Sequence, residues 1–167
     1  VNGKPMVEHV VDLALRLDAS RVVVVVGWQK DSVLRHLAKE FGSKVECVEQ
    51  NPQLGTGHAV MQAEKALSNF DGDVLVLSGD VPMMSFESAN SLIALHRTSD
   101  ARATVLTAVL DDATGYGRIL RNTDGTVLGI VEHKDAAEEQ REIKEINSGI
   151  YVFDAKLLFE SLKHITP

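Results

Sequence analysis

The stretch Arg-Val-Val-Val-Val-Val-Gly, residues 21–27, decides the fold. Five consecutive valines closed by a glycine are typical of a short strand that is buried on both faces of a sheet. An amphipathic helix is predicted before this strand, with its start between Asn2 and Pro5. Apolar residues recur in that segment at helical spacing: Val7, Val10, Val11, Ala14 and Leu15. A helix followed directly by a buried strand favours an α/β protein.

The same alternation continues to about residue 100. Two further apolar strands are predicted over Lys44–Val48 and Val74–Leu77. A helix is expected after each strand, and the predicted starts are Asp31 or Ser32, Gly57 and Ser85. Gly42 stands where the first of these helices should end. Strands that alternate with helices form βαβ units, so the sequence predicts a doubly wound, Rossmann-like, mostly parallel sheet.

The chain has a different texture after residue 100. Short strand-like segments follow one another: Thr104–Val109, Ile119–Leu120, Val127–Val131 and Gly149–Phe153. Asp124-Gly125 predicts a hairpin turn, Asp135 begins a capping-box pattern, and Asp154 is expected to cap a last helix. Residues 1–167 are therefore interpreted as an α/β half, about 1–100, followed by a β-rich insertion, about 101–167, that packs on the same sheet.

The charge balance and the apolar runs exclude several classes of protein. Lys and Arg total 17 against 24 Asp and Glu, which gives a net charge of −7. This balance argues against a nucleic-acid-coating protein, although backbone amides or a metal ion can still hold a small anion. The longest apolar run, Val22–Val26, is too short to cross a bilayer. The single cysteine, Cys47, has no partner for an internal disulfide, so a cytoplasmic location is expected.

Ligands of open α/β sheets bind beyond the carboxyl ends of the strands. This rule selects three loops, residues 27–29, 49–58 and 78–82. The second contains Gly55-Thr56-Gly57 before a predicted helix, where two glycines would let the backbone approach a ligand. A tight turn explains the same pattern equally well. The segment lacks the third glycine of a dinucleotide fingerprint and the Gly-Lys-Ser/Thr ending of a P-loop.

Asp80 follows a glycine at the end of an apolar strand, at the mouth of the predicted site. A carboxylate there suits Mg²⁺, which takes one or two carboxylates together with substrate phosphates. Asp80 could instead cap the helix near Ser85 or close a turn with Pro82. Glu132 and Asn147 lie at predicted strand edges, where they could bind sugar hydroxyls or simply face solvent.

Other chemistries find little support in the sequence. The six histidines show no zinc-ligand spacing, and no Gly-x-Ser-x-Gly nucleophile elbow is present. Cys47 lies inside an apolar strand, and we expect it to be a core residue.

Five segments, in this order and at this spacing, carry a family resemblance. They are Gln-Leu-Gly-Thr-Gly-His-Ala (53–59), Gly-Asp-Val-Pro (79–82), Thr-Gly-Tyr-Gly-Arg-Ile (114–119), Ile-Val-Glu-His-Lys-Asp-Ala (130–136) and Glu-Ile-Asn-Ser-Gly-Ile (145–150). The chain closely resembles the uridylyltransferase domain of the bifunctional N-acetylglucosamine-1-phosphate uridylyltransferase / glucosamine-1-phosphate acetyltransferases. The resemblance implies a nucleotide-diphospho-sugar transferase fold, with the first half binding nucleotide and the insertion binding sugar.

The implied reaction joins UTP and N-acetylglucosamine 1-phosphate into UDP-N-acetylglucosamine and pyrophosphate, with Mg²⁺ as cofactor. Its product feeds cell-wall synthesis, and full-length members of the family form homotrimers. The resemblance assigns uracil recognition to Gln50, and base and ribose contacts to Gly55 and Thr56. The remaining assignments are substrate binding by Gly79, Mg²⁺ binding and catalysis by Asp80, and binding of the N-acetylglucosamine moiety by Gly117, Glu132 and Asn147.

The chain also departs from the family pattern. Members begin with a strand and a glycine-rich triphosphate loop, Leu-Ala-Ala-Gly-x-Gly-x-Arg-Met, whereas this sequence starts at Val1 and Lys4 does not match their catalytic lysine. It ends at Pro167, before a later asparagine that binds Mg²⁺ and before the acetyltransferase domain. We therefore expect an active full-length enzyme, a nearly inactive isolated segment, and unpaired sheet edges where the first strand is missing.

Two other interpretations remain open at this point. The chain could be a regulatory module that binds a sugar nucleotide without catalysis. It could also be a nucleotidyltransferase for another sugar 1-phosphate, such as a thymidylyltransferase.

Overall fold

The structure is a computed structural model that describes residues 3–28 and 30–165. Asn2 and Gln29, which belong to the predicted helix start and to the first candidate loop, lie outside the described residues. The helices are α1 (Met6–Arg16), α2 (Lys30–Phe41), α3 (Thr56–Met61), α4 (Phe86–Thr98), α5 (Glu138–Arg141) and α6 (Ala155–Leu162), with a 3₁₀ turn at Gly42–Lys44. The strands are β1 (Val23–Val26), β2 (Glu46–Glu49), β3 (Asp73–Val76), β4 (Ala103–Val109), β5 (Arg118–Arg121), β6 (Val127–Val131) and β7 (Glu145–Asp154).

The strands form two sheets. A small sheet pairs β1 with β2 in parallel, with Val23 opposite Glu46 and Val26 opposite Glu49. The larger sheet contains the other five strands. Among the described residues no ladder joins β1 to β3, so each of these strands has an edge without a partner strand. The α/β class is confirmed.

Strand β7 organises the larger sheet. β4 pairs with one edge of β7 in antiparallel fashion, from Glu145 to Phe153. The other edge is shared, because β3 pairs with Tyr151–Asp154 and β5 pairs at Ile146. β3 and β4 therefore run in the same direction on either side of a single reversed strand. Of the strands before residue 100, β3 therefore shares a sheet with the later strands, whereas β1 and β2 lie in the small sheet.

Helices cover both faces of the larger sheet. On one face, Leu92 of α4 packs with Ile150 and Val152 of β7. On the other face, Leu158, Phe159 and Leu162 of α6 form a second cluster. Alternate side chains of a strand point to opposite faces, so the apolar residues of β7 supply both layers of core. None of the helices within the described ranges combines the length and apolar character that crossing a membrane requires.

Helix α1 connects the two sheets through its neighbours. Glu8 is buried in α1, where its carboxylate accepts from Lys4 at 2.6 Å and lies 2.8 Å from His36 Nε2 of α2. At the end of the same helix, the Arg16 guanidinium lies 5.3 Å from the centre of the Phe86 ring in α4. α2 packs on β1 and α4 packs on β4 and β7, so α1 spans the two sheets.

Several predicted helix starts are corrected by the structure. α2 begins at Lys30, so Asp31 and Ser32 lie inside its first turn and cannot be its cap. The cap of α5 is Ala137, whose backbone N–H donates to Gln140, so the capping box predicted at Asp135 is wrong. The predicted caps of α4 and α6 are confirmed, because Ser85 and Asp154 accept from Ser88 N and Leu157 N.

Two apolar segments also differ from expectation. α3 ends at Met61, and the apolar residues that follow it continue as turns with bonds such as Ala63 N to Val60 O. The valine strand is fully buried only at Val26, because β1 has a single partner strand among the described residues.

Candidate functional site

The loop after β2 brings together three of the predicted binding residues. Gln50 N donates to Val26 O at 2.8 Å, which holds the start of the loop against β1. The Gln50 side chain then reaches across the loop, where its Nε2 donates to Gly55 O at 2.9 Å. Gly55 has φ +95°, a conformation that favours glycine, and Thr56 is the first residue of α3. The hydrogen bond from Gln50 to Gly55 therefore closes the loop that the family resemblance assigns to nucleotide binding.

Asp80 lies in a turn after β3, closed by Val81 N donating to Ser78 O at 3.2 Å. Its side chain is exposed and makes no hydrogen bond or ion pair with any residue in the ranges 3–28 and 30–165. Ser85 supplies the cap of α4, so the alternative that Asp80 caps this helix is wrong. Backbone atoms close the turn, which leaves both carboxylate oxygens available to a ligand.

Gly117, Glu132 and Asn147 come from three different strands or strand ends and meet in space. Asn147 N donates to Gly117 O at 2.9 Å. A Cβ placed on Gly117 would lie 3.3 Å from Glu132 Oε1 and 3.6 Å from Asn147 Cβ. The glycine thus lets the backbone at residue 117 pack closely against the side chains of Glu132 and Asn147.

Asn147 is held in one orientation by its neighbours. Its Oδ1 accepts from Tyr151 Oη at 2.9 Å and from Gly149 N at 3.0 Å. Burial raises the pKa of the Tyr151 hydroxyl, so this group stays protonated and donates at neutral pH. With Oδ1 occupied by donors, the Nδ2 amino group remains as a hydrogen-bond donor for a ligand.

The edge of β7 links Asp80 to this cluster. β3 pairs with β7 as far as Tyr151, and β5 pairs with it only at Ile146, so the intervening part of the edge carries no strand. The turn after β3 lies against this part, since a Cβ placed on Gly149 would be 3.4 Å from Ser78 Oγ. The turn that carries Gly79 and Asp80 therefore begins next to Gly149, two residues along β7 from Asn147.

The two groups of predicted residues are carried by different sheets. The loop that carries Gln50, Gly55 and Thr56 follows β2 of the small sheet, whereas Asp80 and the cluster of Gly117, Glu132 and Asn147 belong to the large sheet. No hydrogen bond or ion pair of the described residues joins this loop to that cluster. Among those residues, no three His, Cys, Asp or Glu side chains come together as ligands for a metal ion. A cation here would depend on Asp80 and on a bound substrate.

Sequence reasoning missed three residues that shape the site. Tyr151 fixes the amide of Asn147, and His58 lies 3.1 Å from the Gln50 amide nitrogen. Arg118 is only 2% exposed, and it donates to the backbone carbonyls of Tyr116 and Arg141, although its Nε has no partner among the described atoms. An arginine at the start of an apolar strand was the visible signal for Arg118.

The sequence was compared with known families and proteins. The family described as nucleotidyl transferase matches residues 1–167. A protein named Bifunctional protein GlmU, from Geobacillus thermodenitrificans, is 49% identical over 166 residues, covering 99% of this chain and 35% of that protein. The protein of the same name from Exiguobacterium sibiricum is 52% identical over 165 residues, covering 99% and 36%. The chain thus spans about a third of the length of these curated relatives.

Solved structures show the same fold at lower identity. UDP-glucose pyrophosphorylase complexed with UDP-glucose superposes with a TM-score of 0.76 at 18% identity, covering 98% of this chain and 69% of that chain. HddC from Yersinia pseudotuberculosis superposes with a TM-score of 0.70 at 22% identity, covering 95% and 66%. These likenesses support the fold alone.

Proposed function

Because the chain belongs to the nucleotidyl transferase family, we propose that the full-length protein transfers a uridylyl group from UTP to N-acetylglucosamine 1-phosphate. The products are UDP-N-acetylglucosamine and pyrophosphate. The observation that supports the proposal is that the turn carrying Asp80 begins next to Gly149 of β7, two residues along that strand from Asn147. The relatives named above, at 49% and 52% identity over nearly the whole chain, support the same substrates.

The cluster has the chemistry that an N-acetylated sugar requires. Glu132 offers carboxylate oxygens, which accept hydrogen bonds from sugar hydroxyls. Asn147 offers its Nδ2 group, which can donate to the carbonyl oxygen of the N-acetyl group. The missing side chain at Gly117 lets the Glu132 carboxylate keep its place near Asn147, since a Cβ on residue 117 would lie 3.3 Å from Glu132 Oε1.

The loop after β2 supplies the nucleotide half of the site. Gln50 presents its amide oxygen to the base, because its amide nitrogen is already bonded to Gly55 O. The backbone of Gly55 and the hydroxyl of Thr56 would contact the base and the ribose. These roles agree with the resemblance and with the position of the loop beyond the ends of β1 and β2.

Asp80 fits the requirements of Mg²⁺. Mg²⁺ retains several waters and uses one or two carboxylates together with substrate phosphates, so a single exposed carboxylate without a protein partner suits it. When bound, Mg²⁺ withdraws negative charge from the phosphate oxygens. Because the turn that carries Asp80 begins next to Gly149 of β7, Asp80 would hold the ion near the phosphates of the bound substrates.

The reaction needs alignment more than acid or base catalysis. A phosphate oxygen of the sugar 1-phosphate attacks the α-phosphorus of UTP in line, the bond to the β-phosphate bridging oxygen breaks, and pyrophosphate leaves. This nucleophile is already an anion, so no side chain has to remove a proton from it. Glu132 and Asn147 hold the sugar, and Gln50 and Thr56 hold the nucleoside, so that the reacting atoms meet.

The proposal is tested with the full-length protein and an assay for pyrophosphate release. UTP, N-acetylglucosamine 1-phosphate and Mg²⁺ should together give turnover, and Asp80→Asn should lower kcat roughly a hundredfold or more without changing Tm. Asp71→Asn is the matched control, because Asp71 is an exposed carboxylate at the opposite end of β3. Wild-type turnover by Asp80→Asn would remove this residue from the site.

A substrate panel separates the remaining possibilities. Preference for dTTP or for glucose 1-phosphate would indicate another sugar nucleotidyltransferase. Binding of UDP-N-acetylglucosamine without any turnover would favour a regulatory module.

A further inference from the structure

A chain of side-chain hydrogen bonds extends behind the base-facing residue Gln50. Its Nε2 lies 2.9 Å from Gly55 O and 3.1 Å from His58 Nδ1. On the far side of the imidazole, Gln62 Nε2 donates to His58 O at 3.0 Å and lies 3.2 Å from His58 Nε2. The three side chains are half-buried, so the imidazole is held between two amides.

This arrangement determines which way round the Gln50 amide faces. A backbone carbonyl can only accept, so the group against Gly55 O must be the amide nitrogen and not the amide oxygen. The same nitrogen has a second hydrogen, and His58 Nδ1 is placed to accept it. With both hydrogens used, Oε1 is the one polar atom of Gln50 that remains for a ligand.

His58 can act as this acceptor only with Nδ1 unprotonated. A neutral imidazole has one acceptor nitrogen and one N–H group. Gln50 and Gln62 both bring an amide nitrogen to this ring, and only one ring nitrogen can accept. In the tautomer that carries the proton on Nε2, Gln62 donates to His58 O and not to the ring. The lone pair on Nδ1 is therefore left to Gln50.

We propose that His58 is a positioning residue for base specificity, because its Nδ1, together with Gly55 O, holds the Gln50 amide with its oxygen toward the base. An outward-facing oxygen accepts from the N3–H of uracil. Cytosine has an acceptor at N3, so the same oxygen would face a lone pair and repel it. This inference rests on the proposed function, in which Gln50 reads the base of the nucleotide.

The test compares His58→Asn with His58→Leu in the full-length protein. His58→Asn keeps an acceptor, because Asn Oδ1 is separated from Cβ by the same number of bonds as His Nδ1. His58→Leu introduces a side chain of nearly the same shape as Asn that has no acceptor. The measurement is kcat/KM for UTP and for CTP at saturating sugar 1-phosphate, with His164→Leu, an exposed histidine after α6, as the control.

We expect His58→Leu to lower the UTP-to-CTP ratio of kcat/KM at least tenfold, mainly by raising KM for UTP. His58→Asn and the control should keep the ratio within about threefold of wild type. If His58→Leu fails to fold, His58→Ala takes its place, with the same expected loss.

Three results would overturn the role of His58. One is a wild-type ratio in the Leu and Ala variants. Another is an equal loss of the ratio in His58→Asn and His58→Leu, which would indicate a packing role. The third is a His58→Leu variant in which kcat for UTP falls while KM for UTP stays at the wild-type value. A wild-type protein with no UTP-dependent turnover would overturn the proposed function as well, so the two failures are distinguishable.

Discussion

Replacing Gly117 by alanine tests the proposed sugar site. The backbone at Gly117 is outside the left-handed region, so alanine introduces no strain in φ and its effect comes from the methyl group alone. That methyl would lie 3.1 Å from Ile130 Cγ2 and 3.3 Å from Glu132 Oε1, whereas ordinary contacts between carbon atoms are about 3.5–4.0 Å. Its neighbours must move by several tenths of an ångström, and overpacking of this kind costs about 1–3 kcal/mol.

The larger effect should be on ligand binding. The methyl displaces the Glu132 carboxylate, and a hydrogen bond to a charged group contributes about 1.5–3 kcal/mol. Losing it corresponds to roughly a ten- to hundredfold weaker affinity for UDP-N-acetylglucosamine. Isothermal titration of the full-length protein measures this loss, and thermal unfolding measures the packing cost.

Gly129→Ala is the matched control on the hairpin. Gly129 lies in β6, and a Cβ placed on it meets nothing within 4 Å. The control should therefore bind and unfold like wild type. If Gly117→Ala binds the sugar nucleotide as tightly as Gly129→Ala does, the Glu132 carboxylate beside Gly117 is not part of the sugar site.

The remaining predictions concern stability and reactivity. The hydrogen bond from Lys4, opposed by burial and aided by His36, holds the pKa of Glu8 below its ordinary value of 4.5. The stabilisation that the ionised Glu8 contributes is present above pH 4.5 and is lost as the pH falls through the folded-state pKa. Glu8→Gln should therefore lower Tm at pH 7 by more than at pH 3.5, and a fall in Tm that is the same at both pH values would contradict this reasoning. Gly149→Ala should lower the free energy of unfolding in urea by about 1–2 kcal/mol, because Gly149 has φ +77°, and unchanged stability would argue against this conformation. Burial raises the pKa of the Cys47 thiol, so iodoacetamide at pH 8 should modify the folded protein several times more slowly than the unfolded chain, and equal rates would contradict the burial.

Local rules predicted the parts of the fold that depend on neighbouring residues. The Asp124-Gly125 turn forms as expected, with Thr126 N donating to Asp124 Oδ1 and Gly125 at φ +86°. Caps were less predictable. Ser85 and Asp154 each lie directly before the first residue of their helix and cap it. Asp31 cannot cap α2, because that helix begins one residue earlier, at Lys30.

Long-range pairing could not be predicted in the same way. β7 begins at Glu145, four residues before the predicted start at Gly149, because its first residues are polar and resemble a loop in sequence. Those polar residues include Asn147, which faces the candidate site. The strand that carries Asn147 is therefore the strand whose beginning shows the weakest apolar pattern.

The residue types of the candidate site were visible in the sequence, but their neighbours were not. Asp80 and Asn147 follow from their positions at strand ends and from the family resemblance. The hydroxyl of Tyr151 and the imidazole of His58 act through the orientation of another side chain. Spacing along the chain carries no information about such orientation, which depends on the folded arrangement.

The division into two sheets has a mechanical consequence. The loop that we propose to bind the base follows β2, and Asn147 of the proposed sugar site lies in β7. Between β1 and β3 no backbone ladder of the described strands joins the two sheets. Contacts between helices, such as that of Arg16 with Phe86, allow larger displacements than the backbone hydrogen bonds of a strand ladder do. A ligand with a nucleobase at one end and a sugar at the other, bound as proposed, would contact both sheets at once. Such a ligand would restrict the motion of one sheet relative to the other.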